Sequence, residues 1–315
     1  MNNPPLLVVT AHRMKAVIRD FLPRLEEAGW VVRVDVPEKQ SFSAPDLVRV
    51  TAGATAIIVG DDEVSVRYLE SAPKQLRLVV KWGVGTDSID ADAAHEMGIL
   101  VKNTPGVFGG EVADLAMAYV LGLSRGVVAI HNGVLEKGWP HKEGISLEGK
   151  TLGIVGYGDA GQNLARRGFG FGMRTIFFDP YVAAREDLVA QASNLEDLVS
   201  EADYLVLTCP STRETQGMIN RERLHKMKPS AYLINVARGD LVNESELVSA
   251  LREGVIAGAG LDVYQVEPLP DSSPLRQLDN VILGAHNGSN TREGLLRASA
   301  KATEIVLQWQ RENLL

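Results

Sequence analysis

Basic charge is in deficit, disulfides are impossible and long apolar runs are missing, and each shortage removes a class of function. With 40 acidic against 32 basic residues the net charge is −8, which opposes nucleic acid or an anionic membrane as a main partner. One cysteine, Cys209, among 315 residues excludes an internal disulfide and suits a reducing cytoplasm. Its place at the end of the run Tyr204-Leu-Val-Leu-Thr-Cys209 fits a buried structural thiol. No apolar run approaches the roughly 20 residues that span a bilayer. The opening Met1-Asn-Asn-Pro-Pro lacks the basic start of a secretory signal, so a cytoplasmic protein is expected. Internal repeats and low-complexity tracts are also missing, and no metal site is expected.

What remains is a globular composition, 45% hydrophobic and 23% charged, on a chain too long for one ordinary core. Two domains are expected. Short apolar runs at Leu6–Thr10, Val31–Val36, Ala56–Gly60, Leu76–Lys81 and Ile99–Lys102 alternate with helical patterns, as buried parallel strands do. Between the first two runs Val17, Ile18, Phe21, Leu22 and Leu25 recur with helical spacing, and Gly29 ends that helix. A long, nearly uncharged helix is predicted from Gly110 to about His131, apolar enough for a domain or subunit interface. A second series follows at Thr151–Val155, Arg174–Phe178, Tyr204–Thr208, Ala231–Val236, Ala257–Asp262 and Val281–Ala285. Six such strands with intervening helices describe a dinucleotide-binding domain. The fold class is therefore α/β with two doubly wound parallel sheets. The last segment, Arg292–Leu315, is helical and expected to pack back onto the first domain, which gives residues 1–105 with 287–315, and 106–286, as the two domains.

The second series opens with Gly156-Tyr-Gly-Asp-Ala-Gly161 between a strand and a helix start. A lone GxGxxG is weak, but here its context is correct on both sides. Gly156 permits the tight turn, Gly158 lets the backbone approach a pyrophosphate and Gly161 lets the helix sit close to the strand. Asp179, in Phe177-Phe-Asp-Pro180, ends the next strand about 20 residues on, where a carboxylate accepts the ribose hydroxyls and repels a 2′-phosphate. NAD is the expected cofactor; Arg185 lies nearby and would only partly offset that preference. A helix cap is the plainer reading of Asp179.

Three polar residues follow later strands: Arg238 in Asn235-Val-Ala-Arg-Gly239, Glu267 in Asp262-Val-Tyr-Gln-Val-Glu-Pro268 and His286 in Gly284-Ala-His-Asn-Gly288. Open α/β sheets place their chemistry there. Arg grips a carboxylate with two prongs, His gives or takes a hydroxyl proton, and Glu sets the charge and orientation of that His. Beside a dinucleotide the set suits hydride transfer to a 2-keto acid. Each residue alone has a structural reading, as a surface ion-pair partner, a loop acid or a strand-end histidine; order and spacing join them.

These motifs, with Lys81-Trp-Gly-Val-Gly-Thr-Asp-Ser-Ile-Asp90, Val101-Lys-Asn-Thr-Pro-Gly106 and Leu147-Glu-Gly-Lys-Thr-Leu-Gly-Ile-Val-Gly156, resemble the D-isomer-specific 2-hydroxyacid dehydrogenases from about Leu76 onward. The similarity is greatest to short phosphoglycerate dehydrogenase-like and glyoxylate/hydroxypyruvate reductase-like members. The resemblance implies a flavodoxin-like substrate domain, built from both chain ends, joined to a Rossmann NAD-binding domain, and a homodimer formed through the long helix. It assigns Arg238 to the substrate carboxylate, Glu267 to the acid partner and His286 to acid–base work. It further assigns Gly83, Val84 and Gly85 to amides that hold the substrate carboxylate and Asp262 to the nicotinamide amide. Asp159 and Ala160 fall in the pyrophosphate turn, and Cys209, Pro210 and Val236 line the cofactor groove.

The expected activity is hydride transfer between NADH and a 2-keto acid or D-2-hydroxy acid of the glyoxylate or hydroxypyruvate kind. Gly60-Asp-Asp-Glu63 puts three acids where phosphoglycerate dehydrogenases usually carry a base, which disfavours a phosphorylated substrate. Lys81 is counted among the substrate-binding residues, and with His12 and Arg13 it could supply positive charge here, though each of the three could equally be a solvated side chain. 3-Phosphoglycerate dehydrogenase therefore stays open as an alternative, as does an NAD-sensing, non-catalytic interaction protein. Asn287, after His286, departs from the apolar residue many members carry and bears on substrate preference.

Overall fold

The computed structural model describes residues 4–38, 41–182, 189–192 and 194–313. The chain divides into two compact units, Met1–Val107 with Asn290–Leu315, and Phe108–Ser289. Each is a parallel sheet interleaved with helices.

In the first unit β1 (Leu6–Val9), α1 (Leu22–Glu27), β2 (Val31–Val34), α2 (Ala44–Val50), β3 (Ala56–Val59), α3 (Val66–Ser71), β4 (Leu78–Lys81), α4 (Ala91–Glu96) and β5 (Leu100–Asn103) alternate along the chain. The sheet order is β2-β1-β3-β4-β5, every pair parallel. β3 and β4 are buried at every position, which is why their sequences read as continuous apolar runs rather than alternating ones. The periodic run from Val17 to Leu25 does not form one helix. Two 3-10 turns, His12–Ala16 and Ile18–Asp20, precede α1, which starts at Leu22 with Pro23 in its first turn. Proline lacks an N–H and its ring would clash with the carbonyl of Arg19, so an α-helix can begin at Pro23 but not run through it.

The second unit holds α5 (Gly109–Arg125), α6 (Val127–Leu135), β6 (Thr151–Val155), α7 (Asp159–Gly170), β7 (Arg174–Phe178), β8 (Ala190–Gln191), α8 (Leu195–Glu201), β9 (Tyr204–Leu207), α9 (Arg221–Lys226), β10 (Tyr232–Asn235), α10 (Glu244–Arg252), β11 (Gly258–Leu261) and β12 (Val281–Leu283). Its sheet runs β12-β11-β10-β9-β6-β7-β8, again all parallel. The apolar runs account for six strands; β8, two residues paired beside β7, is too short to leave a periodic signal. One row of partners crosses six strands, Phe178, Val155, Leu207, Asn235, Leu261 and Leu283. The residues just after that row share one sheet edge.

The predicted long helix is two helices. Gly126 adopts φ +63°, the left-handed region that ends a helix, and α5 and α6 meet at a 65° bend. No single helix among the described residues is long and apolar enough to cross a membrane. The closing helix α11 (Arg292–Glu312) belongs to the first unit. Trp82 Nε1 donates to Ser299 Oγ at 3.0 Å and Trp30 Nε1 to Gln310 Oε1 at 2.8 Å.

The atoms nearest a Cβ at Gly126 belong to the flexible Lys142 side chain, so the main cost of Gly126→Ala is the left-handed backbone, about 1 kcal/mol. Urea unfolding should show that loss; unchanged stability would mean the bend does not depend on Gly126.

Candidate active site

The glycine turn is shaped by two close approaches. Gly156 has φ +91°, and a Cβ there would stand 2.7 Å from the backbone nitrogen of Cys209. A Cβ on Gly161 would stand 2.2 Å from Gly156 O, so α7 can sit against the turn only with glycine there. Gly158 faces open space and no side chain caps α7, which leaves the start of that helix to an anion. Thr208 Oγ1 donates to Gly156 O at 2.7 Å, a brace that no motif marks in the sequence.

Asp179 ends β7 beside this turn. Its Oδ2 accepts from Tyr157 N at 2.8 Å and its Oδ1 from Tyr181 N at 2.9 Å, while the Tyr157 ring stacks on Phe177 at 3.9 Å. The carboxylate thus ties the glycine turn to the neighbouring strand and keeps lone pairs for further donors. Arg185 lies outside the described residues. Asp159 accepts from Gly109 N at 3.0 Å and from the Asn163 amide, and Ala160 follows it in the first turn of α7. Burial pushes the Cys209 thiol up to about 11, so the cysteine is a packing residue, its Sγ 3.9 Å from Met218 Sδ. Pro210 is exposed and Val236 buried. The open space over Gly158, the uncapped α7 and the carboxylate at the end of β7 fit a dinucleotide's pyrophosphate and ribose.

At the other half of the edge the structure brings Glu267 and His286 together: His286 Nδ1 lies 2.6 Å from Glu267 Oε2. Glu267 Oε1 accepts from Tyr264 N at 3.0 Å. Burial opposes ionisation of Glu267, but the bonds from His286 and Tyr264 N, with the Arg238 charge nearby, bring its carboxyl below the ordinary value of 4.5. Arg238 leads into a 3-10 turn, Gly239–Leu241, and Nη1 donates to Ala237 O. The Asn235 side chain clamps this bend, accepting from Ala237 N and donating to Arg238 O. A Cβ on Gly239 would lie 1.9 Å from the Tyr264 carbonyl carbon, so glycine after Arg238 lets that segment touch the one bearing Glu267. Neither Asn235 nor Gly239 stood out in the sequence beyond its place in the arginine motif.

His286 has φ +51°, a left-handed backbone that is rare outside glycine. Asp262, 1% exposed, underlies it. Asp262 O accepts from His286 N at 2.7 Å, Oδ1 from Asn287 N at 3.0 Å and Oδ2 from Gly288 N at 2.8 Å. Tyr119 Oη donates to Oδ1 at 3.2 Å. Tyr264 Oη lies 2.8 Å from Gly284 O.

The first unit carries the turn after β4. Gly83 has φ +138°; its N–H donates to Thr104 Oγ1, and Asn103 donates to Val84 O. The Gly83 amide is thereby engaged within its own unit. Lys81 is 5% exposed, its ammonium 2.6 Å from both Gly60 O and Asp61 Oδ1. The three acids differ in use. Asp62 is buried, accepting from Thr10 Oγ1, Phe42 N and Gly60 N, and Glu63 accepts from Ala44 N and Ser65 Oγ. His12 Nδ1 lies 3.3 Å from Pro37 O.

Residues 117–288 match the sequence profile of the D-isomer specific 2-hydroxyacid dehydrogenase, NAD binding domain. A glyoxylate reductase of Thermococcus litoralis is 42% identical over 254 residues, 76% of this chain and 76% of that protein. A glyoxylate/hydroxypyruvate reductase B of Yersinia enterocolitica is 39% identical over 301 residues, 93% of this chain and 91% of the other. The crystal structure of an NADPH-dependent glyoxylate/hydroxypyruvate reductase from Sinorhizobium meliloti, in complex with NADP and malonate, superposes with a TM-score of 0.83 at 28% identity, covering 97% of this chain and 93% of that one.

Because folding lowers the Glu267 pKa, its contribution to stability is complete above the unfolded value near 4.5 and is lost as pH falls through the lower folded value. Glu267→Gln should cost about 1–2 kcal/mol at neutral pH, a hydrogen bond to a charged group. Unfolding curves from neutral to acid pH should show the gap closing below the unfolded value; a constant gap would rule out the ionised carboxylate as its source.

Proposed function

The chain belongs to the D-isomer specific 2-hydroxyacid dehydrogenase family, and on that footing we propose that it reduces a small, unphosphorylated 2-keto acid of the glyoxylate or hydroxypyruvate kind, with NADH as reductant. The carrying observation is the His286–Glu267 pair at 2.6 Å, with the Arg238 charge acting on it. The dinucleotide would be held by Gly156, Gly158, Asp159, Ala160 and Gly161 at its pyrophosphate and by Asp179 at its ribose, with Cys209, Pro210 and Val236 along its path. When bound, it supplies the hydride.

The chain's own residues do the rest. Arg238 presents a planar fork that matches a carboxylate and fixes the keto acid in one orientation. With Nδ1 on Glu267, proton delivery falls to Nε2 of His286, which donates to the oxygen as negative charge develops there. Glu267 holds the imidazole in that tautomer and orientation. In the first unit, the amides of Val84 and Gly85 are assigned to carboxylate binding. The Lys81 charge is met by Asp61 beneath this turn, which supports a substrate without a phosphate over 3-phosphohydroxypyruvate.

The preference for NADH rests on Asp179, since a 2′-phosphate beside that carboxylate would be repelled. The net charge of −8 supports neither nucleic acid nor membrane as partner, and the lone Cys209 suits a cytoplasmic setting. A homodimer is supported by α6, an apolar helix none of whose residues is buried, with Val127, Val134 and Leu135 exposed and Trp139 exposed just beyond it.

His286→Ala should lower turnover by at least about a thousandfold while NADH binding persists. Loss of NADH absorbance, followed with glyoxylate, hydroxypyruvate and 3-phosphohydroxypyruvate and repeated with NADPH, tests the reading. Near-full activity of the variant would remove His286 from proton transfer, and fastest turnover on the phosphorylated acid would overturn the substrate. Leu135→Asp should convert a dimer to a monomer in light scattering; a wild-type monomer would remove the dimer.

A further inference from the structure

We infer that Tyr119 is a positioning residue for His286, acting through the carboxylate of Asp262; this rests on the role proposed above for His286. The argument begins with the space given to the tyrosine. Two glycines, one on β11 and one just after β12, make room for it. A Cβ on Gly260 would lie 2.8 Å from Tyr119 Cβ, and one on Gly284 would lie 2.0 Å from Tyr119 Oη and 2.5 Å from Asp262 Oδ1. Any side chain at 260 would displace the ring from β11, and any at 284 would take the place of the phenol oxygen. Tyr119 sits in the last half of α5 and is 5% exposed.

The phenol delivers one proton, and it goes to Asp262 Oδ1 at 3.2 Å. That same oxygen accepts from Asn287 N, and Oδ2 accepts from Gly288 N. A carboxylate with three donors around it is fixed in rotation; with two donors, both from one turn, it can pivot with that turn. The turn is the one that carries His286 in a left-handed backbone. Such a conformation persists only where the surroundings over-determine it. The amides on its far side are held by Asp262, and its near side by the bond from His286 N to Asp262 O. Tyr119 is the donor that comes from outside the turn, on a helix, and so anchors the carboxylate to a rigid element. Burial and the Asp262 charge push the Tyr119 phenol well above its ordinary range, so it stays a donor.

Without the phenol, Asp262 and the 286–288 turn relax together and the imidazole leaves its line on Glu267. The substrate carboxylate is held by other groups, so KM for the keto acid is spared. Asp262 is also the group assigned to the nicotinamide amide, so the loss falls on the chemical step and on the hold over the reductant's nicotinamide end. Tyr119→Phe keeps the ring and should lower kcat about tenfold, with the KM for the keto acid within about twofold of wild type. The imidazole resonances of His286, assigned with His286→Ala in histidine-labelled protein, should move in Tyr119→Phe while those of His95 and His225 do not. On an Asp262→Asn background the same substitution should add less than about a twofold effect, because both act on one bond.

Ser124→Ala removes another buried hydroxyl from α5, one bonded to Val120 O and Tyr204, and should leave both kcat and the His286 signals unchanged. An equal loss in Ser124→Ala, unmoved His286 signals in Tyr119→Phe, or full additivity with Asp262→Asn would each overturn the inference. Wild-type protein inactive on every keto acid would overturn the functional reading instead, and the imidazole spectra would still decide the role of Tyr119.

Discussion

Parallel pairing in register is the constraint from which the site of the second unit follows. Phe178, Val155, Leu207, Asn235, Leu261 and Leu283 form one row across six strands. In an antiparallel sheet the residues after such a row would alternate between two edges. In a parallel sheet they share one. Asp179, Gly156, Cys209, Arg238, Asp262 and His286 all lie within three residues of that row. Groups up to 130 residues apart in sequence thereby come to one edge of the sheet with little further help from loops.

What loops add is held by carboxylates. Asp179 takes the amides of Tyr157 and Tyr181, Asp262 those of Asn287 and Gly288, Glu267 that of Tyr264, and Asp62, in the first unit, those of Phe42 and Gly60. A buried carboxylate is costly unless its oxygens find donors, and irregular backbone has donors to spare. Joining the two shortages gives turns that are rigid without regular structure. The 286–288 turn shows how far this goes, since it keeps a histidine in a conformation that its own side chain disfavours.

The acids at 61–63 carry the same lesson for substrate choice. As bare charges they suggest a repulsive patch. In the structure two of them are spent on amides and hydroxyls of their own unit, and Asp61 meets the buried Lys81. The relevant quantity is the charge left after pairing, and the Lys81 ammonium is met by Asp61. A substrate with a single carboxylate asks for no more.

Much of this was legible in the sequence for a physical reason: buried parallel strands are apolar at every position, and chemistry follows their ends, so runs and punctuation mark both. The glycine turn, Asp179, Arg238, Glu267 and His286 stand where those runs stop. Other features depend on contacts that no local pattern records. Pro23 and Gly126 divide predicted helices, yet both residue types also occur inside helices, and only the surrounding backbone fixes their effect. β8 is a strand because β7 offers it an edge. Tyr119 shares the apolar period of α5 with residues that only pack; that it donates to Asp262 depends on two glycines 141 and 165 positions further along. The sequence determined which groups the protein has and which edge they occupy, because those follow from composition and period. The tertiary structure alone decided which acid meets which donor, because a hydrogen bond is settled by tenths of an ångström between segments remote in the chain.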